Sequence, residues 1–160
     1  AAPLDDLDTV TIDGELSELD SLKQDDILSV RSNGSIALIG RCILVGEVRE
    51  KISHSGFTIR IRLSNGSILP QYACHFMKSA SSRKLLTEGG TGTNIKSLNQ
   101  GMLSALVIPF PPIAVQKVLV GKLGRISEEI QRLASIYERK LATLEALKKS
   151  LLQQAFSGEL

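Results

Sequence analysis

The pattern of apolar and polar positions changes character near residue 112. Upstream it is short-ranged. Ile27-Leu28-Ser29-Val30 and the run from Ile36 to Val45 read as buried strands, separated by the turn Ser32-Asn33-Gly34-Ser35, where Gly34 can supply a positive φ. Phe57, Ile59, Ile61 and Leu63 alternate with Thr58, Arg60 and Arg62, the period-two signature of a strand with one buried face, which puts Arg60 and Arg62 together on the outward face. Leu69-Pro70 opens a helical stretch with Pro in the first turn, and Tyr72, Phe76 and Met77 are spaced as its core face. That helix is expected to continue through Arg83, Lys84, Leu85 and Leu86 to Gly89-Gly90. A Gly- and Thr-rich loop from Gly89 to Asn94 follows, then a short strand, Ala105 to Ile108, ended by Pro109, Pro111 and Pro112. This irregular mixture predicts an α+β fold, not a regular doubly wound sheet.

Downstream the period lengthens. From Ile113 to about Ala155 there is no Pro, and Leu119, Leu123, Ile126, Ile130, Leu133, Tyr137, Lys140, Leu144, Leu147 and Leu151 recur at alternating spacings of four and three. Nine of these ten positions are apolar, counting Tyr137, a coiled-coil register sustained for over four heptads. One long helix is predicted, with Gly158 as its stop. A small domain cannot bury so long a stripe, so a partner helix is expected along Leu119, Leu123, Ile126, Ile130, Leu133, Tyr137, Leu144, Leu147 and Leu151. The expected organisation is a mixed α/β domain over residues 1–110 and a pairing helix over residues 111–160.

The apolar fraction of 42% comes with no uncharged apolar run of the ~18 residues needed to cross a bilayer, so no membrane is expected among the partners. The first residues, Ala1-Ala2-Pro3-Leu4-Asp5-Asp6, show no export signal, and a cytoplasmic setting is expected. There Cys42 and Cys74 read as buried thiols. The net charge of +2 hides a division that changes the picture. Nine acidic residues and one basic residue, Lys23, occupy the stretch up to Asp26, whereas Ile27 to Phe110 carries ten Lys or Arg against Glu47, Glu50 and Glu88. A basic body fits a polyanionic partner, although a merely solvated basic surface would count the same.

Catalytic patterns do not emerge. There is no Asn-Pro-Pro-aromatic motif of an amino-methyltransferase, and Gly89-Gly90-Thr91-Gly92-Thr93 lacks the Lys-Ser/Thr of a phosphate-binding loop. His54, Cys74, His75 and distant Cys42 fall into no zinc spacing. The carboxylates crowd into the first 26 positions as a solvated edge or partner contact rather than around a nuclease metal. The expectation is a non-catalytic protein with no metal and no cofactor of its own. The candidates for DNA contact are Arg31, Ser32, Asn33 and Ser35 in the turn, Arg41 after it, Arg60 and Arg62 on the strand, Arg83, Lys84 and Lys96, and the loop residues Thr91, Thr93 and Asn94. Arg pairs bidentately with guanine, Asn with adenine and hydroxyls with either, while Lys more often meets phosphate.

Three segments in order resemble one half of the DNA specificity subunit of Type I restriction-modification enzymes. The first is Asp25-Asp26-Ile27-Leu28-Ser29-Val30-Arg31-Ser32-Asn33-Gly34-Ser35 with Ile39-Gly40-Arg41, where Asp25 stands in place of the family's Gly. The second is Gly90-Thr91-Gly92-Thr93-Asn94-Ile95, leading through Leu98 to Ile108-Pro109-Phe110-Pro111-Pro112 and Gln116, with Val115 where Glu is common. The third runs from Tyr137-Glu138-Arg139-Lys140 through Leu147-Lys148-Lys149-Ser150-Leu151-Leu152 to Ala155-Phe156-Ser157-Gly158-Glu159-Leu160, similar to the end of the family's spacer helix.

The resemblance implies a target recognition domain reading one half of a bipartite sequence in double-stranded DNA, with a helix that pairs antiparallel with that of a second recognition half or a second copy. It also implies methyltransferase (modification) subunits and a restriction/translocase subunit as partners, with S-adenosylmethionine and ATP bound on those subunits. Two other readings stand beside it: a coiled-coil adaptor with a basic nucleic-acid-binding head, and a piece of a fused restriction-methylation enzyme.

Overall fold

Three short strands form one antiparallel sheet in the order β2-β1-β3: β1 is Ile27–Val30, β2 Cys42–Leu44 and β3 Thr58–Ile61. Helices α1 (Pro70–Lys78), α2 (Ala80–Glu88), α3 (Gln100–Ser104) and α4 (Ile113–Ser157) follow in the chain. This computed structural model describes residues 11, 13–88 and 97–158. The architecture is α+β, as the irregular pattern predicts. The chain divides into two units, Ala1–Val120 and Gly121–Leu160, the first taking in the opening turns of α4. Among the described residues no helix is long and apolar enough to cross a membrane.

The alternation in β1 builds the core. Ile27 and Ser29 are buried on one face, joined across the ladders by Leu44, Cys42, Ile61 and Ile59. Against them pack Ala73, Cys74 and Met77 of α1, Leu86 of α2, and Ile39 and Leu98 from the connections. Cys42 and Cys74 are free and buried, their Sγ atoms 3.9 Å apart. Burying such side chains stabilises by about 2 kcal/mol each before chain entropy opposes it.

Several expected elements come out differently. Ile36 to Val45 is not one strand: Ile36–Leu38 forms a 3-10 turn and only Cys42–Leu44 pairs in the sheet. The break lies at Gly40, whose φ of +74° turns the chain while its N–H still reaches the Val30 carbonyl at 3.0 Å. Gly34 does not need a positive φ, because the Asn33 side chain accepts from the Ser35 N–H at 3.0 Å and closes that turn. The helix expected from Pro70 to Gly89 is two helices. At Ser79 ψ is 149°, and the Ser79 hydroxyl accepts from the Ser82 N–H at 3.3 Å, starting α2. The buried face of α1 is Ala73, Cys74 and Met77, while Tyr72 and Phe76 are half-buried and the Tyr72 hydroxyl reaches the Pro109 carbonyl at 2.7 Å.

The strand expected from Ala105 to Ile108 does not form. Helix α3 ends just before it, and Leu106 and Ile108 pack on the core from irregular chain without pairing in the sheet. The helix expected from Ile113 onward does form, and Gly158 follows it with φ +77°.

Two polar clasps hold the first unit. Asp26 is 1% exposed, and its carboxylate takes two hydrogen bonds from Arg62, both 2.7 Å, and one from the Lys23 N–H at 2.8 Å. The acidic segment is therefore not simply a solvated edge, since its last member anchors the sheet. Gln116, fully buried in the first turns of α4, accepts from the Leu69 N–H and donates to the carbonyls of Ser67 and Pro111, all at 2.7–2.8 Å. It satisfies three backbone groups that burial would otherwise leave unpaired.

Burial alone would raise the Asp26 pKa, but the Arg62 hydrogen bonds, the Lys23 N–H and the nearby Arg62 and Arg60 charges outweigh it and hold the carboxyl below its ordinary range. The ion pair thus contributes fully above the unfolded carboxyl value of about 3.9 and is lost as pH falls through the lower folded value. Asp26→Asn should cost roughly 3 kcal/mol at neutral pH, and the gap to the native chain should close as the pH falls below about 4. Urea unfolding followed by circular dichroism across that range checks both.

Candidate nucleic-acid interface

The β1–β3 ladder continues beyond the strands and builds an open corner. The Arg31 N–H donates to the Phe57 carbonyl at 2.7 Å, the Ser32 N–H reaches the same oxygen at 3.3 Å, and the Arg31 carbonyl accepts from the Leu98 N–H at 2.6 Å. Ser32 and Ser97 form an isolated antiparallel bridge. Arg31, Asn33 and Ser35 are exposed there and Ser32 is half-buried, so four of the expected DNA-contact residues share one corner with a fixed backbone. Thr91, Thr93, Asn94 and Lys96 lie outside the described residues, as does the expected Gly- and Thr-rich loop; Ser97, which follows them, is part of the corner.

The other expected residues separate. The Val30 N–H donates to the Arg41 carbonyl at 2.8 Å, and the register of Leu28 with Ile43 places Arg41 on the face of the sheet opposite Arg31. Arg60 and Arg62 do lie on the face away from the core, but both are engaged. Arg62 grips Asp26 and the Ser21 carbonyl, and Arg60 donates to the carbonyls of Leu19 and Ser21. Arg83 reaches from α2 to the Ala37 carbonyl at 2.6 Å and so braces the 3-10 turn that follows the corner loop. Lys84 is exposed beside it on α2.

Along α4 the predicted seam is uncovered. Leu119, Leu123, Ile126, Ile130, Leu133, Tyr137, Leu144, Leu147 and Leu151 are all exposed, from 37% at Leu119 to 61% at Ile130. Lys140, the polar member of the register, sets its Nζ over the Tyr137 ring, 5.6 Å from the centroid. Leu141, Leu152 and Phe156 are exposed too and extend the apolar surface.

The structural roles of three residues escaped the sequence pattern. Asp26 looked like one more acid in an acidic run, and only the ladder shows it opposite Arg62. Gln116 stands in a segment that carries the resemblance, but no periodicity marked it for burial. Phe57 reads as a core position from its alternation with Ile59 and Ile61, yet it is 69% exposed because the core ends before it.

No protein-family model matches the chain. Two curated proteins are similar to it: the Type I restriction enzyme StySPI specificity subunit of Salmonella potsdam, 27% identical over 155 residues, which is 94% of this chain and 33% of that one, and the Type I restriction enzyme EcoKI specificity subunit of Escherichia coli (strain K12), 27% identical over 151 residues, 91% of this chain and 31% of that one. What the chain is similar to, in both cases, is a Type I specificity subunit. The similarity covers both the mixed unit and the long helix, and the chain spans about one third of the length of these relatives.

The separation between exposed and engaged arginines yields a test. Arg31→Ala should leave the melting temperature of the chain unchanged while weakening its binding to duplex DNA. Arg62→Ala should lower the melting temperature by several degrees, because it strands the buried Asp26 carboxylate. Differential scanning calorimetry and fluorescence anisotropy on the same two proteins would show the split.

Proposed function

We propose that the chain is a non-catalytic DNA-recognition module of a Type I restriction-modification system. Its first unit reads one half of a bipartite target in double-stranded DNA, and its helix pairs with that of a second recognition half or a second copy. Methylation and cleavage belong to methyltransferase and restriction/translocase subunits, which use S-adenosylmethionine and ATP. The observation that carries this reading is the similarity to Type I specificity subunits, which runs through both units in one stretch.

The physical chemistry agrees. Arg31 and Asn33 have the donor and acceptor sets that discriminate base edges, and the hydroxyls of Ser32, Ser35, Thr91 and Thr93 suit bases or phosphates. Lys84 and Lys96 supply sequence-independent charge toward phosphates, Asn94 can contact either, and Arg41 offers a cation on the other sheet face. Arg60, Arg62 and Arg83 act on this reading as struts that fix the surface rather than as readers. The uncovered seam of α4 has heptad spacing, and a second helix laid along it would take its apolar side chains out of water.

Binding to duplex DNA is expected to be salt-dependent, with log K falling linearly against log salt by about 0.9 per phosphate neutralised. Lys84→Ala should weaken all sequences alike, whereas Asn33→Ala should relax preference at one position by roughly 1–3 kcal/mol. Affinity indifferent to salt between about 50 and 200 mM contradicts the reading. The purified chain should also self-associate, and Leu133→Lys with Leu144→Lys should return it to a monomer in light scattering.

A further inference from the structure

We infer that Phe57 and Arg31 act together as a stacking clamp on a DNA base step, with the Phe57 ring against the base and the Arg31 guanidinium beside it on the adjoining groove or backbone. This rests on the DNA-recognition reading above and assigns a role to a residue outside the expected contact set.

A single exposed apolar side chain is ordinary and argues for nothing. Phe57 differs in what surrounds it. The β1–β3 register pairs Val30 with Thr58, and the 2.7 Å bond from the Arg31 N–H to the Phe57 carbonyl carries that register one step on, so Arg31 stands directly opposite Phe57. Cross-strand neighbours share a face, with Cβ atoms about 5 Å apart. That face buries Ile27 and Ser29 and half-buries Ile59 and Ile61 along the sheet, and it emerges into solvent at Arg31 and Phe57. Arg31 is exposed, and its side chain forms no hydrogen bond or ion pair among the described residues.

The backbone under the ring is fixed. The Phe57 carbonyl takes two N–H groups, and the turn before it is closed by the Thr58 N–H and hydroxyl on the Ser55 carbonyl at 3.1 and 2.9 Å, with His54 against the same hydroxyl at 3.0 Å. A rigid aromatic next to a cation suits a base: the ring needs a flat π-face or a step to enter, and the cation needs an anion nearby. A protein surface would meet the ring equally well. The rest of the corner, Ser32, Asn33, Ser35 and Ser97, carries polar groups and no carboxylate, which favours nucleic acid.

The test starts by selecting short duplexes from a random pool with the native chain, then placing 2-aminopurine at each position of the best binder. The native chain should raise fluorescence at one step. Phe57→Ala should abolish that rise and weaken binding roughly tenfold with no change in melting temperature, while Phe57→Trp should keep both. Arg31→Ala should weaken binding and make the remaining affinity less salt-dependent. Unchanged fluorescence and affinity in Phe57→Ala overturn the inference, as does a variant that keeps DNA binding but no longer captures a methyltransferase subunit. A native chain that enriches no duplex overturns the recognition reading itself, and the clamp with it.

Discussion

The antiparallel ladder between β1 and β3 is the interaction on which the rest depends. Its register sets Asp26 against Arg62 at one end and Arg31 against Phe57 at the other, and between them it lays half-buried Ile61 and Ile59 across from buried Ile27 and Ser29. A slip of one residue would move the core side chains to the outer face and leave the Asp26 carboxylate buried without its partner. The ion pair is a poor source of net stability in itself, because desolvation offsets most of its Coulomb energy. Its use is to penalise every other register. A fixed register in turn holds the corner at the far end of the same ladder in one geometry, which the proposed reading of base edges requires.

The long helix imposes a separate constraint. Gln116 ties its first turns into the first unit by three backbone hydrogen bonds, and beyond Val120 nearly every side chain is exposed. An apolar seam at heptad spacing is what one strand of a coiled coil looks like without its mate. Propensity alone does not keep 45 residues helical in water, so the energy that would stabilise this segment comes from whatever covers the seam.

How much was legible follows from what each element depends on. The seam was fully legible, since it is a local periodicity that the structure leaves untouched. The strands at Ile27 and at Thr58 were legible because alternation survives burial on one face. The break at Gly40 and the division at Ser79 were not, because single backbone angles and a capping hydroxyl decided them against longer apolar runs, and the helix at Gln100 was not, because it is one short turn started by the Asn99 amide oxygen. Asp25 shows the opposite case: the resemblance marked it as standing where relatives have Gly, and its φ is +68°, a conformation in which Asp is tolerated and its carboxylate accepts from Gln71 at 3.1 Å. In the candidate site, composition found the arginines but could not say that Arg60 and Arg62 are engaged within the fold while Arg31 is open. That distinction belongs to the ladder, which no linear pattern displays.

The central claim is that this fold reads a DNA sequence and that its helix brings a second reader alongside. The most direct measurement is to sequence duplexes selected by the purified chain from a random pool. The account predicts a short enriched motif that recurs as two copies at a fixed gap, with the fixed gap disappearing and the motif surviving when the α4 seam is broken by charge. A pool that emerges unenriched in any motif would contradict it.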